Sequence, residues 1–331
     1  MVKLEPPSGD ESRGWGPPWW GAPEDRRSAY FGSVNRNKRS LVVDLRTDMG
    51  RALLDRLAHG ADLLIHNARP SSAARLGLDA ERLRAAHPGL VVAVVGGFSG
   101  RDRELPAYDL LAGLEVAVGA LAVLLGKARG AAAELPAVEV SLMEASVAAL
   151  TNVMANHLAT GDEPQRWGNA HPNIVPYQSF ATRDGYLAIA VGNDAQFARL
   201  LGVLSLDAEA RYAKNAQRVA ARDQLVPRLS AAIGERGLDE LDEALRAADV
   251  PAGPVASVGE ALRDMEAAHG GGWVQAAPPL RLAPDPIRLD GGSPPLRGAP
   301  PLLGEHTDEL LTELGLSADE IAQLRRDGVV A

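Results

Sequence analysis

The stretch Asn35-Arg36-Asn37-Lys38-Arg39-Ser40-Leu41-Val42-Val43-Asp44-Leu45 feeds a cluster of cations into an apolar strand, and Arg46 follows directly. The chain is acidic overall, with 34 Lys plus Arg against 43 Asp plus Glu and a formal charge of −9. An anionic ligand therefore has to be met by a local basic patch, and this one suits a nucleotide phosphate. The same four charges, Arg36, Lys38, Arg39 and Arg46, equally suit a solvated face. A second candidate is Asp109, directly ahead of a small-residue apolar run. At a helix N-terminus the backbone dipole favours an ionised carboxylate; the plain structural role there is an N-cap, worth about 1 kcal/mol. His171 stands alone in Gly168-Asn169-Ala170-His171-Pro172 and makes no acid–base pair by itself.

Other chemistries lack their residues. The chain has no cysteine, which removes disulfides, thiolate nucleophiles and Cys-ligated metals and fits a reducing cytoplasm. Its seven His residues have no metal-ligand spacing, and HExxH, GxxxxGK[ST] and GxSxG are all missing, so no metal site is expected. The net negative charge argues against general affinity for nucleic acid or anionic lipid. Met1-Val-Lys-Leu-Glu carries no signal-peptide pattern, and Pro106, Asp109 and Glu115 interrupt the longest apolar run, so no membrane span is expected.

These groups need a scaffold, and 331 residues at 46% hydrophobic content suffice for two domains. Met1 to Glu5 reads as a strand end, followed by a Pro- and Gly-rich loop with Trp15, Trp19 and Trp20 as anchors. Leu41 to Leu45 (strand), Asp48 to His59 (helix) and Asp62 to His66 (strand) make a β-α-β unit. A helix near Ala80 to Ala86 and a strand from Leu90 to Val95 repeat the alternation, so the fold class is α/β with a Rossmann-like parallel sheet. Ala112, Gly113, Ala117, Gly119, Ala120 and Ala122 let the helix from Leu110 to Gly126 approach its neighbours closely. A strand at Val138 to Leu142 leads into a helix from Met143 to about Leu158, ending at Gly161. The segment from Trp167 onwards predicts a smaller α+β domain: a strand at Tyr186 to Val191 and helices near Ala195 to Leu204, Arg218 to Glu235 and Leu238 to Ala248. Gly270-Gly271-Gly272 and the run from Pro278 to Pro301 read as an extended linker, followed by a short helical pair.

In this order, NRNKRSLVVDL, ADLLIHNARP, Leu76-Gly77-Leu78, LVVAVVGGFSG, AGLEVAVGALAVLLGKARG, VEVSLMEA, GNAHPNIVPYQSFATRDGYLAIAVGND, VPAGPVASVGEAL and LGEHTDELLTELGL resemble the family III CoA-transferases, also called CaiB/BaiF. That group includes formyl-CoA transferase and the α-methylacyl-CoA racemases. The resemblance implies a large CoA-binding domain over residues 1–160, a small α+β domain over 172–275, and a C-terminal segment, 291–331, returning to the large domain. It also implies an interlocked homodimer. The family's usual first strand and helix, with a Gly-Pro turn that touches CoA, have no counterpart after Met1, and a segment is missing near Asp109. The chain thus resembles a shortened member.

The resemblance also assigns roles. Val43, Arg46, Asn67, Ala68 and Arg75 fall where the family contacts CoA, with Arg46 and Arg75 as phosphate partners. Ala68 departs from the usual Phe and offers the nucleotide less surface. Gly168 and Asn169 lie in the loop that shields the acyl intermediate from water; the alternative is a rigid linker. Family members use an Asp as nucleophile, forming an acyl-aspartyl anhydride and then an aspartyl-CoA thioester. Asp109 matches that nucleophile and also an earlier family Asp, because the intervening segment is absent. The expected activity moves CoA from an acyl-CoA to a carboxylic acid, with CoA as substrate and no permanent cofactor. Two alternatives are a 2-methylacyl-CoA racemase, disfavoured by Tyr108 where that activity needs His, and an inactive CoA-binding homologue.

Overall fold

The computed structural model describes residues 1–21, 23, 26–97, 111–130, 135–269, 275–277, 280–283 and 285–331. They form two compact units: residues 1–151 with 269–331, and residues 152–268.

The first unit is built on short parallel strands. Val2–Glu5 pairs in parallel with Arg39–Val42, starting at Val2 opposite Arg39. Leu63–His66, Val91–Gly96 and Val138–Ser141 form a second parallel ladder, with Val91–Gly96 in the middle. The alternation thus yields parallel strands and crossover helices as expected, but in two ladders instead of one continuous sheet. Among the described residues no strand joins Val2–Glu5 to Leu63–His66.

The helix Asp48–His59 links the two ladders in sequence. Thr47 caps its start by accepting from Gly50 N, and Asp48 in the first turn and Arg56 and His59 in the last complement the helix dipole. Leu53 packs with Leu41, Val43, Leu310, Leu311 and Val330, and Ala58 with Leu83, Leu90 and Val92. The chain end belongs to the same core. Val43 bridges Val330 in antiparallel fashion, and Asp44 N donates to Val329 O at 2.8 Å.

Some elements differ from the expected ones. The helix expected from Met143 to about Leu158 is two, Leu142–Ala149 and Asn152–Thr160, separated at Thr151, whose φ of 42° is left-handed. Pro70–Leu76 is a helix, with proline in its first turn and Gly77 closing it at φ 74°. Within the expected linker, Gln275–Ala277 pairs antiparallel with Leu280–Leu282.

The second unit has a three-stranded antiparallel sheet in the order Ala252–Pro254, Tyr186–Ala190, Tyr177–Ala181. Leu187 and Ile189 alternate inward with period two, and with Phe180 they meet Phe197 and Leu200 of the helix Asp194–Val203. Leu225, Leu229 and Ile233 of Arg222–Gly234, and Leu241 and Leu245 of Leu238–Ala247, complete this core.

Candidate functional site

The basic segment divides at the strand it flanks. Arg39, at the N-terminal end of Arg39–Val42, is held by Glu309 at 2.8 Å and by Glu313 at 2.6 and 3.0 Å. Arg36 Nη1 donates to Ala283 O, and Lys38 Nζ to Asn35 Oδ1. These cations tie the chain together and are not one open phosphate edge. Arg46 lies beyond the opposite end of the strand, where ligands of parallel α/β folds are usually met.

Arg46 is exposed, yet engaged. Its Nε and Nη2 donate to the two carboxylate oxygens of Asp44 at 2.8 and 2.7 Å, and its main-chain N also donates to Asp44 Oδ1. The hydrogen bonds from the Arg46 side chain hold the Asp44 pKa down at about 2. The turn below is closely built. Thr47 Oγ1 donates to Asp44 O at 2.8 Å, Arg51 donates to the carbonyls of Leu45 and Arg46, and a Cβ on Gly50 would come within 2.1 Å of Asp44 O. Val43 is 2% exposed and its N donates to Glu5 O. Its side chain belongs to the core, so any contact it makes with a ligand has to come from its main chain.

Asn67 and Ala68 follow directly on the strand Leu63–His66, again at a C-terminal end. Asn67 is exposed and Ala68 half-buried. His66, not singled out by the sequence reading, fixes this turn: its Nδ1 accepts from Ala68 N at 3.2 Å, which makes the imidazole neutral with the proton on Nε2. Burial pushes its pKa down, against the opposing effect of the Leu78 carbonyl. The signal available was its place directly before Asn67 and Ala68 in ADLLIHNARP. Arg75, exposed in the last turn of Pro70–Leu76, donates to Ser72 Oγ at 3.5 Å.

Arg46 and Arg75 thus stand on turns and helices that follow two parallel strands of the first unit, while Gly168 and Asn169 belong to the second. Gly168 takes the left-handed conformation, φ 62°, in the turn that Ala170 N closes onto Trp167 O. Asn169 Oδ1 accepts from Ser179 N at 3.1 Å. Asp109 lies outside the described residues. Among the described residues no cluster of three or more His, Asp or Glu could hold a metal ion, and no helix is long and apolar enough to cross a membrane.

Arg46, on the turn after one parallel strand, and Arg75, in the last turn of the helix that follows another, are each exposed cations suited to a phosphate. Comparison with known proteins narrows this. The chain matches the family model described as CoA-transferase family III over residues 1–113 and 104–307. It is 34% identical to a succinate–glutarate CoA-transferase of Agrobacterium fabrum, the match covering 95% of this chain and 88% of that enzyme. It is 30% identical to an acetyl-CoA:oxalate CoA-transferase of Acetobacter aceti, over 91% and 85% of the two chains. The crystal structure of a CAIB/BAIF family protein from Brucella suis superimposes with a TM-score of 0.78 at 32% identity, covering 95% of this chain and 91% of that one.

Proposed function

This chain belongs to CoA-transferase family III, and from that premise we propose that it moves coenzyme A from an acyl-CoA donor to a carboxylic acid acceptor. The observation that carries this reading is the family match running through both units, and the exposed Arg46 just past the strand Arg39–Val42 supports it. Short dicarboxylic acids are the acceptor class to try first, because relatives are named for succinate, glutarate and oxalate.

In this reading the nucleotide end of CoA lies along the Val43 main chain, Arg46, Asn67, Ala68 and Arg75. Asp109 is the nucleophile. Its carboxylate attacks the thioester carbonyl, the C–S bond breaks, and an acyl-aspartyl anhydride and CoA thiolate result. The thiolate then attacks the aspartyl carbonyl and releases the donor acid, leaving an aspartyl-CoA thioester. The acceptor carboxylate attacks that thioester to give a second anhydride and thiolate. Attack of the thiolate on the acceptor's acyl carbonyl forms the new acyl-CoA and restores Asp109. Each bond replaced is of similar reactivity, so the steps lie near thermoneutrality. An anhydride is lost to any water that reaches it, which is the task given to the loop with Gly168 and Asn169.

The working form in this reading is a homodimer. Leu114, Val118, Leu121 and Leu125, spaced 4-3-4 along the helix Leu111–Ala128, are 64, 65, 65 and 51% exposed, a seam suited to a second helix face. The opposite face, with Ala112, Val116 and Ala120, is buried. The cysteine-free composition fits a cytoplasmic site of action.

The direct test is an assay of purified protein with succinyl-CoA and glutarate, oxalate or other short acids. Formation of the acceptor's CoA thioester in step with succinate release is the expected result. Absence of any new thioester with all acceptors contradicts the reading.

A further inference from the structure

Within the second unit the segment from Trp167 to Val175 has no regular strand or helix, yet it is tied on several sides. One side is sewn to the neighbouring strand: His171 N donates to Tyr177 O, the His171 ring stacks on Tyr177 with centroids 5.3 Å apart, and Ser179 N donates to Asn169 Oδ1. Its far end is held by Asn215, which accepts from Val175 N and donates to Asn173 O. Two arginines four residues apart grip the other side. Arg218 is 0% exposed, and its guanidinium donates to the carbonyls of Val175, Tyr212 and Ala213, with Asp194 at 3.0 Å as counter-ion. It is a core brace.

Arg222 differs. Its guanidinium lies over the Trp167 ring, 4.6 Å from the centroid, while Nη2 donates to His171 O at 2.7 Å and Pro172 O at 2.9 Å. One side chain thereby holds both ends of the turn carrying Gly168 and Asn169. It does so without an ion-pair partner among the described residues, and its Nη1 is buried with no hydrogen-bond partner there. A cation kept partly desolvated and unpaired is costly, and a lysine, with one compact ammonium in place of a plane, could not lie flat over the ring while donating to both carbonyls.

We propose that Arg222 is a positioning residue for CoA transfer: it sets the shape of the Trp167–Pro172 turn, and through it the partition of the acyl-aspartyl intermediate between transfer and hydrolysis. This rests on the transferase reading above. The competing step is simple. Water adds to the acyl carbonyl of the anhydride, the bond to the aspartyl oxygen breaks, the free acid and Asp109 carboxylate are released, and the waiting thiolate takes up the proton as CoA thiol. The net change is acyl-CoA plus water giving acid plus CoA.

The test measures new acyl-CoA and free CoA thiol together, in wild type, Arg222→Lys and Arg222→Gln, with circular dichroism confirming the fold. The ratio of hydrolysis to transfer should rise about tenfold in both variants, on the scale expected when a positioned group shifts. Trp167→Leu, which removes the stacked ring and leaves the charge, should move the ratio the same way and serves if the arginine variants fold poorly. An unchanged ratio in folded variants overturns the role of Arg222 and leaves the transferase reading intact. No transfer by the wild type overturns both.

Discussion

Arg46 holds both carboxylate oxygens of Asp44, at 2.8 and 2.7 Å, just beyond the strand Arg39–Val42. A phosphate arriving at Arg46 therefore competes with an internal anion. Asp44→Asn should strengthen CoA binding by about threefold at low salt, an advantage that fades as salt screens the exposed guanidinium. Arg46→Ala should weaken it by about tenfold, with kcat little changed, as expected when one charge-assisted contact is lost. Titration calorimetry at two salt concentrations reads both. Equal affinity in all three proteins would place the phosphates elsewhere.

Ala68 supplies a second handle on the same contact. Ala68→Phe restores the aromatic surface usual in the family, and stacking of about 1 kcal/mol corresponds to roughly fivefold tighter CoA. The gain should appear in KM for acyl-CoA and not in KM for the acid. A gain confined to the acid would relocate the nucleotide.

Glu5 offers a test of the scaffold. Its side chain, 1% exposed, accepts from Arg13 at 2.7 and 2.8 Å and from Ser40 Oγ at 2.6 Å. Burial pushes its pKa up, but these hydrogen bonds and the Arg13 charge prevail and leave it below the ordinary 4.5. A depressed carboxylate stabilises the fold fully above its unfolded value and loses that contribution as pH falls through the folded one. Stability should thus be flat in this respect above about pH 4.5 and decline below it. Glu5→Ala strands Arg13 and should cost about 3 kcal/mol at pH 7, whereas Glu5→Leu with Arg13→Met should cost less. Urea unfolding across pH 3 to 7 checks both; identical pH slopes in wild type and Glu5→Ala would remove Glu5 from the account.

The seam on Leu111–Ala128 predicts the assembly. Leu121→Glu places a charge at its middle and should shift the protein from dimer to monomer in sedimentation, with the fold retained. A wild-type monomer, or a Leu121→Glu dimer of unchanged affinity, would contradict the seam.

The sequence displayed the scaffold more clearly than the site. The runs around Leu41–Leu45, Asp62–His66 and Leu90–Val95 are apolar enough to announce strands, and Thr47, Asp48 and Gly60 bracket the helix between the first two with capping chemistry. Pro70–Leu76 escaped because seven residues show no clear period. The break at Thr151 escaped because Ala148, Ala149 and Leu150 before it and Met154 and Ala155 beyond it favour helix. The fate of the basic segment was invisible: the partners of Arg39 lie 270 and 274 residues away. So was the grip of Arg222, which acts on backbone carbonyls that any residue could supply.

Acylation of one carboxylate is the centre of the account. Protein mixed with an acyl-CoA and quenched with hydroxylamine or borohydride should carry its modification on the peptide containing Asp109, as read by mass spectrometry, and Asp109→Ala should carry none. Wild-type protein that turns over donor and acceptor while Asp109 stays unmodified, or an adduct on a different carboxylate, would contradict it.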